Sequence, residues 1–368
     1  MSVGLFYKLF PPPHYLEMRP TGVDISDRSI KFCDLEMAGH GYKVARFGEM
    51  SLPVGVVESG EIKNMALLVE SLRKFGEEQK VTYVSAALPE EQAYIVKLSL
   101  PNMPRKALYQ SIELQLEEYV PLPVEQLVFD YEIIRLPSKT HAGYEVAVSV
   151  YPKAIVSSYL DAMTAAGLVP ISFEIEAQAV ARALVPWHDE GTTLVVDFGR
   201  TRTGLFVVRN SQVLVTSTIA TIGGELITTA IQKSLGVSYE EAEKMKIERG
   251  LLERGGDNRL LYASVPIISV LRDEVTKLGG YWETHQEEIR HDQRKINKLV
   301  ICGGQAFLPG LVEYLSDSLE IPVVLGDIWT NVLDLKSPTA KVPPIKHRDS
   351  LKYGTAIGLA LKDFVRHD

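Results

Sequence analysis

Apolar and polar positions change period repeatedly along this chain. Short runs with strand character come first, at residues 22–25, 29–36 and 42–52, with Gly39 to Gly41 supplying the turn before the third. Helical spacing follows at 64–75, where Leu67, Leu68, Leu72 and Phe75 fall on one face, and residues 83–88 return to a short apolar strand. Helix after strand in this order predicts an α/β layer. Residues 92–168 have another texture. A strand at 94–100 is broken by Pro101 and Pro104, and a helix is predicted over 106–119, with Leu108, Ile112, Leu116 and Tyr119 on one face. It stops at Val120-Pro121, because a residue before proline avoids the α region. Runs at 129–136 and 144–150 read as a hairpin, and 153–166 as a helix closed by Gly167. This block reads as a small α+β insert, after which a strand at 170–176 and a helix at 176–184 resume the first layer.

A second domain is predicted to begin near Gly191. It holds a hairpin around Asp197, a strand at 212–219, helices at 226–235 and 239–249, and a polar, Gly-rich loop at 254–259. A long helical region over 265–295 is expected to break at Gly279-Gly280. A strand at 298–302, a helix at 309–319, a strand at 323–325 and an amphipathic helix at 354–364 complete the chain. One pattern occurs twice: an apolar run, Asp-x-small, a polar turn and a second apolar run. The copies are centred on Asp24 and Asp197, 197 − 24 = 173 positions apart. A repeat on that scale predicts a duplicated domain rather than a solenoid.

Composition narrows this picture only in places. The chain of 368 residues is 46% hydrophobic and 23% charged, enough for two sizeable cores. A net charge of −8 argues against non-specific nucleic-acid binding. Cys33 and Cys302 sit in apolar runs and read as small core residues. No apolar stretch reaches the length of a membrane span, and the first ten residues lead into Pro11-Pro12-Pro13 without a cleavage-site pattern. Residues 1–20 are read as a flexible tail, and the protein as cytoplasmic.

Two facing hairpins with an Asp at each mouth form a clamp suited to a phosphate chain and its metal. Asp24 and Asp197, each at a strand end, can hold Mg²⁺ directly or through water. Gly199 lets the backbone approach a ligand, Thr203 positions the turn, and Lys31 reaches phosphates as a point charge. Ser26, Asp27 and Ser29 form the first turn. Gly223-Gly224 and Gly303-Gly304 each stand between a strand and a helix, where helix N-termini offer donors. Glu243 and Lys246 share a helix face and can bond ribose hydroxyls, or else form a solvated ion pair. Glu174 and Glu176 lie two apart; either can orient a water toward a terminal phosphate, or the two are a solvated pair of carboxylates on an edge strand. The eight histidines are scattered, with no Ser/His/Asp arrangement and no metal cluster.

These residues resemble the motifs of the actin-like ATPase superfamily over nearly everything after residue 20. Residues 24–31 resemble its first phosphate motif; Asp197, Gly199 and Thr203 its second; Glu176, Ala177 and Ala179 its first connecting motif. Gly303-Gly304 through Leu311, including Gln305 and Phe307, resemble the adenosine motif, and 242–250 the helix whose Glu and Lys face the ribose and adenine. Residues 112–123 with 129–132 are similar to PilM, the actin-like family of type IV pilus assembly in the FtsA-like branch. The resemblance implies an actin-like (ribonuclease H-like) duplicated two-domain ATPase fold with an FtsA-like 1C insert. The expected division is 21–95, 169–190 and 346–368 as subdomain 1A, 96–168 as 1C, 191–222 and 296–345 as 2A, and 223–295 as 2B.

It also implies ATP with Mg²⁺, and a groove beside the insert for the cytoplasmic N-terminal peptide of a PilN-like inner-membrane protein. Pilus motor and platform proteins, and further copies of the chain, are the other implied partners. The protein would thus be recruited to the inner face of the membrane without inserting. The sequence departs from the family pattern at Ser26, usually Gly, and at Asp27, usually Ser or Thr, which sets a carboxylate near the phosphates. Arg200 and Arg202 replace small residues. They either offset that charge by pairing with Asp27 or phosphate, or fill the site. Turnover is expected to be slow or absent. A polymerising FtsA-like division protein ranks second, since no spare membrane helix follows the last packed one. A small-molecule kinase ranks third, for want of a catalytic Asp beside a substrate cleft.

Overall fold

A computed structural model of the chain describes residues 19–38, 41–138, 141–252, 258–285, 294–333, 342–362 and 364. Most of the expected tail and most of the polar loop at 254–259 lie outside them.

The first lobe opens with β1 (Thr21–Ile25), β2 (Ser29–Ala38) and β3 (Gly41–Ser51). A two-residue ladder, β4 (Val57–Glu58) with β5 (Glu61–Ile62), precedes α1 (Met65–Gln79). Asn64 caps α1 by accepting from the Leu67 N–H at 3.1 Å, and Lys80 ends it in the left-handed region. Leu68, Leu72 and Phe75 are buried on α1, whereas Leu67 faces outward. Next come β6 (Tyr83–Leu88) and a single 3₁₀ turn, Glu90–Gln92. The insert follows as β7 (Tyr94–Pro101), α2 (Arg105–Leu116), β8 (Leu127–Arg135), β9 (Gly143–Pro152) and α3 (Lys153–Ala165). Then β10 (Val169–Ile175) and α4 (Glu176–Leu184) rejoin the lobe.

The second lobe contains β11 (Thr192–Phe198), β12 (Thr203–Arg209), β13 (Gln212–Ile219), α5 (Gly224–Leu235) and α6 (Tyr239–Arg249). Ser238 and Glu241 close a capping box at the start of α6. The long α7 (Arg259–Thr284) leads to β14 (Lys298–Cys302), α8 (Leu311–Ser318) and β15 (Val323–Leu325). The chain then returns to the first lobe through α9 (His347–Ser350) and α10 (Gly354–Lys362).

The duplication is complete at the level of topology. Strand order is β10-β6-β1-β2-β3 in one sheet and β15-β14-β11-β12-β13 in the other. In each, the first three strands are parallel and the last three run antiparallel. β1 is buried along its whole length, as a strand covered on both faces must be. On one side the cover is α10, which lies so close that a Cβ on Gly22 would fall 2.1 Å from the Ala356 carbonyl oxygen. α10 also crosses α4 backbone to backbone, with Gly358 directly over the Ala179 carbonyl.

The antiparallel sheet β7-β9-β8 has its own core, in which Leu98 and Val148 meet Leu108, Ile112 and Leu116 of α2. The α2 helix ends at Leu116, three residues earlier than its spacing predicts, and Tyr119 is exposed. The expected break at Gly279-Gly280 is absent: α7 continues to Thr284 and stops there. A glycine costs a helix only about 1 kcal/mol, and Leu278 and Trp282 on either side are buried.

Candidate functional site

The β1–β2 and β11–β12 hairpins turn toward each other and touch. Thr201 donates its hydroxyl to Asp27 Oδ2 at 3.1 Å. Arg202 reaches from the second lobe into the first, with its guanidinium 2.7 Å from Glu176 Oε2, 3.0 Å from Glu91 Oε1 and 3.6 Å from Asp27 Oδ1. Arg28 of the first turn and Arg200 of the second both face Glu225, at 3.4 and 3.6 Å. Between the hairpins lies a cavity of about 270 Å³, near the lower end of ligand-site volumes (roughly 300–1,000 Å³).

Of the residues singled out in the sequence, Asp24, Ser26, Ser29, Lys31, Glu176, Asp197, Gly199, Arg200, Gly303, Gly304 and Gln305 line this cavity. Asp24 and Lys31 are cross-strand partners in register, and the ammonium lies 3.1 Å from the carboxylate. Burial opposes the charge of Lys31, but Asp24, followed by Glu49, overcomes it and holds its pKa up. Asp197 pairs across its hairpin with Gly204, which offers no charge. Burial, then the nearby Glu176 and Asp24, push its carboxyl up to about 7. Gly303 sits at φ +89°, and a Cβ there would fall 2.3 Å from Asp197 Oδ1. The end of β14 therefore passes over the carboxylate only because residue 303 has no side chain.

Of the other sequence candidates, Arg202 also lines the cavity, whereas Asp27, Thr203, Gly223, Gly224, Glu243, Lys246 and Phe307 do not. Thr203 donates its hydroxyl to the Ile222 carbonyl at 2.7 Å. The Gly224 and Glu225 N–H groups, which begin α5, donate to the carbonyls of Gly199 and Arg200 at 3.1 and 2.9 Å. These helix donors close onto the hairpin turn and do not point at the cavity. Lys246 is buried: its ammonium donates to the Gly224 carbonyl and the Thr228 hydroxyl, both at 3.0 Å, and pairs with Glu243 at 2.8 Å. Burial lowers its pKa. Gly223 packs against the 200–201 turn, and Phe307 stands edge-on to His347. Glu174 is taken up by Arg182, which leaves Glu176 alone at the cavity.

Glu90 and Glu91 were not singled out from the sequence. They lie on the 3₁₀ turn after β6, and Glu90 lines the cavity with Oε1 lacking any hydrogen-bond partner. Burial, then Glu176 and Asp197, raise its pKa well above the usual carboxylate range. The signal available was positional: β6 is parallel to β1, and loops after the carboxyl ends of parallel strands converge on the crevice. Thr201 and the rim pair Lys352–Glu49, at 2.5 Å, were also missed.

Buried carboxyls with raised pKa and an orphaned Glu90 oxygen make a site short of positive charge, which a divalent cation accompanying a polyphosphate would supply. Among the described residues, no three His, Cys, Asp or Glu are arranged to hold a metal directly.

The family model described as "Type IV pilus assembly protein PilM" matches residues 22–364. The chain belongs to the PilM family. The solved PilM-PilN type IV pilus biogenesis complex superposes on this PilM-family chain with a TM-score of 0.76 at 21% identity, covering 95% of the chain and 99% of its counterpart. MreB 5 of Spiroplasma citri, solved bound to AMPPNP, matches with a TM-score of 0.52 at 13% identity over 95% and 96% of the two chains. The fold is therefore actin-like. Curated relatives include the cell division protein FtsA of Enterococcus faecalis (strain ATCC 700802 / V583), 24% identical over 71% of the chain, and that of Enterococcus hirae, 25% identical over 66%. The PilM-family chain spans 65% and 61% of the length of these two relatives. No helix among its described residues is long and apolar enough to cross a membrane.

Proposed function

We propose that this PilM-family chain is a nucleotide-binding adaptor at the cytoplasmic face of the inner membrane, in type IV pilus assembly or a related secretion machine. The observation that carries the reading is the pair of matched hairpins meeting over a cavity rich in carboxylates, in a chain of this family. In this reading ATP with Mg²⁺ lies between the lobes. Asp24 and Asp197 face the hydrated metal, Lys31, Arg28 and Arg200 face the phosphates, and the Gly303-Gly304 corner admits the nucleoside. The metal offsets phosphate charge; the chain's own residues set the angle between the lobes. Glu176 is the residue placed to orient a water, but Arg202 holds it at 2.7 Å, so turnover is slow or absent.

The partner is the cytoplasmic N-terminal peptide of a PilN-like membrane protein, taken up beside the β7-β9-β8 insert, in line with the solved complex of a structural relative. Calorimetry of the full chain with that peptide, with and without Mg-ATP, tests the adaptor role. Saturable micromolar binding is expected (roughly −8 kcal/mol), shifted by the nucleotide. Absence of binding in both states overturns the role. The FtsA relatives favour a second reading, a polymerising division protein, which filaments on lipid vesicles would support.

A further inference from the structure

We propose that Asp27 stands in for a terminal phosphate, so that the cleft retains a nucleoside diphosphate in preference to a triphosphate. The inference deepens the nucleotide-site reading and rests on it. Asp27 sits at the tip of the first hairpin and is 9% exposed. The second hairpin meets it with a hydroxyl and a guanidinium, from Thr201 at 3.1 Å and Arg202 at 3.6 Å. A hydroxyl plus a guanidinium, presented by a tight turn, is a donor set suited to phosphoryl oxygens. Here the hydroxyl already donates to a carboxylate, and the guanidinium stands beside it while donating to Glu176. The second oxygen of Asp27, Oδ1, accepts no hydrogen bond.

The charge around this point argues the same way. Arg202 is shared with Glu91 and Glu176, so a third phosphoryl group entering between the turns would face three carboxylates against one cation. Arg200, 57% exposed, and Arg28 lie at the outer rim of the cavity, where two phosphates meet positive charge without displacing Asp27. Lys31, the deep cation, remains on Asp24 in either case.

The test is calorimetric titration of the full chain with ADP and with ATP, in saturating Mg²⁺, for the wild type, Asp27→Asn and Asp27→Ser. Asp27→Asn keeps the shape of the side chain and an acceptor for Thr201. The wild type is expected to bind ADP at least tenfold more tightly than ATP. Both variants should bring the two ligands within about threefold, by tightening ATP while leaving ADP unchanged. A wild type that binds ATP as tightly as ADP overturns the proposal without any variant, and so do variants that leave the ratio where it was. Failure of both nucleotides to bind to all three proteins overturns the nucleotide site itself, and this inference with it.

Discussion

The two hairpins share a backbone and differ in what stands across the ladder from the Asp. Seven residues after Asp24 stands Lys31, in register and ion-paired; seven after Asp197 stands Gly204. The first carboxylate is thereby compensated within its own hairpin. The second is not, and the space left by Gly204 is taken by Glu90, another acid, whose Oε2 lies 3.2 Å from where a Cβ would be. Duplication kept the geometry while the charge balance moved in opposite directions. One copy is closed electrostatically, and the other is left in deficit, toward the cavity.

The largest expected effect comes from removing the compensation. Lys31→Met leaves Asp24 buried and unpaired and should destabilise the chain by about 3–5 kcal/mol. Arg202→Met, which strips the cation from Glu91, Glu176 and Asp27, should cost as much. Urea denaturation reads both, and an effect below about 1 kcal/mol would mean that the hairpins are not balanced in this way. Next comes Gly303→Ala, which places a methyl against Asp197 at a left-handed backbone position. A loss of about 2 kcal/mol is expected, with weaker Mg-nucleotide binding.

Asp197→Asn should act in the other direction. Unfolded, Asp197 releases its proton near its ordinary 3.8; folded, it does so at about 7. Between those values the native state holds a proton that the unfolded state has lost, so stability falls as pH rises from about 4 to about 7 and levels off above. The amide variant should therefore gain stability at pH 8 and almost none at pH 4, while losing Mg-nucleotide binding. Melting curves across that range check the sign; equal effects at both ends would remove Asp197 from the deficit. The smallest effect is expected from Thr201→Val, about 1 kcal/mol for one hydrogen bond between the hairpins.

The repeated Asp-x-small pattern made the duplication legible, because each copy is local: strand, turn and strand lie within about a dozen residues. The insert was legible for the same reason, through its own short periods and prolines. What sequence reading missed is non-local. Glu90 precedes Asp197 by 107 positions (197 − 90), and no spacing rule joins a turn after one sheet's strand to a hairpin of the other sheet. Lys246 shows the converse. Its three-residue spacing from Glu243 correctly placed both on one face of α6, but spacing does not say what the face packs against, and here it is the start of α5.

The contact of α10 with β1 has a consequence in time. The first strand of the first lobe is complete by residue 25, and the helix that covers it begins at residue 354. Synthesis proceeds at roughly 5–20 residues per second, so β1 waits on the order of 20–60 s for its cover. Nascent chains arrested before residue 354 should be cut readily by protease at the first sheet and resist once the helix is supplied. The lobe that holds β1 is therefore completed only after the whole second lobe has been made.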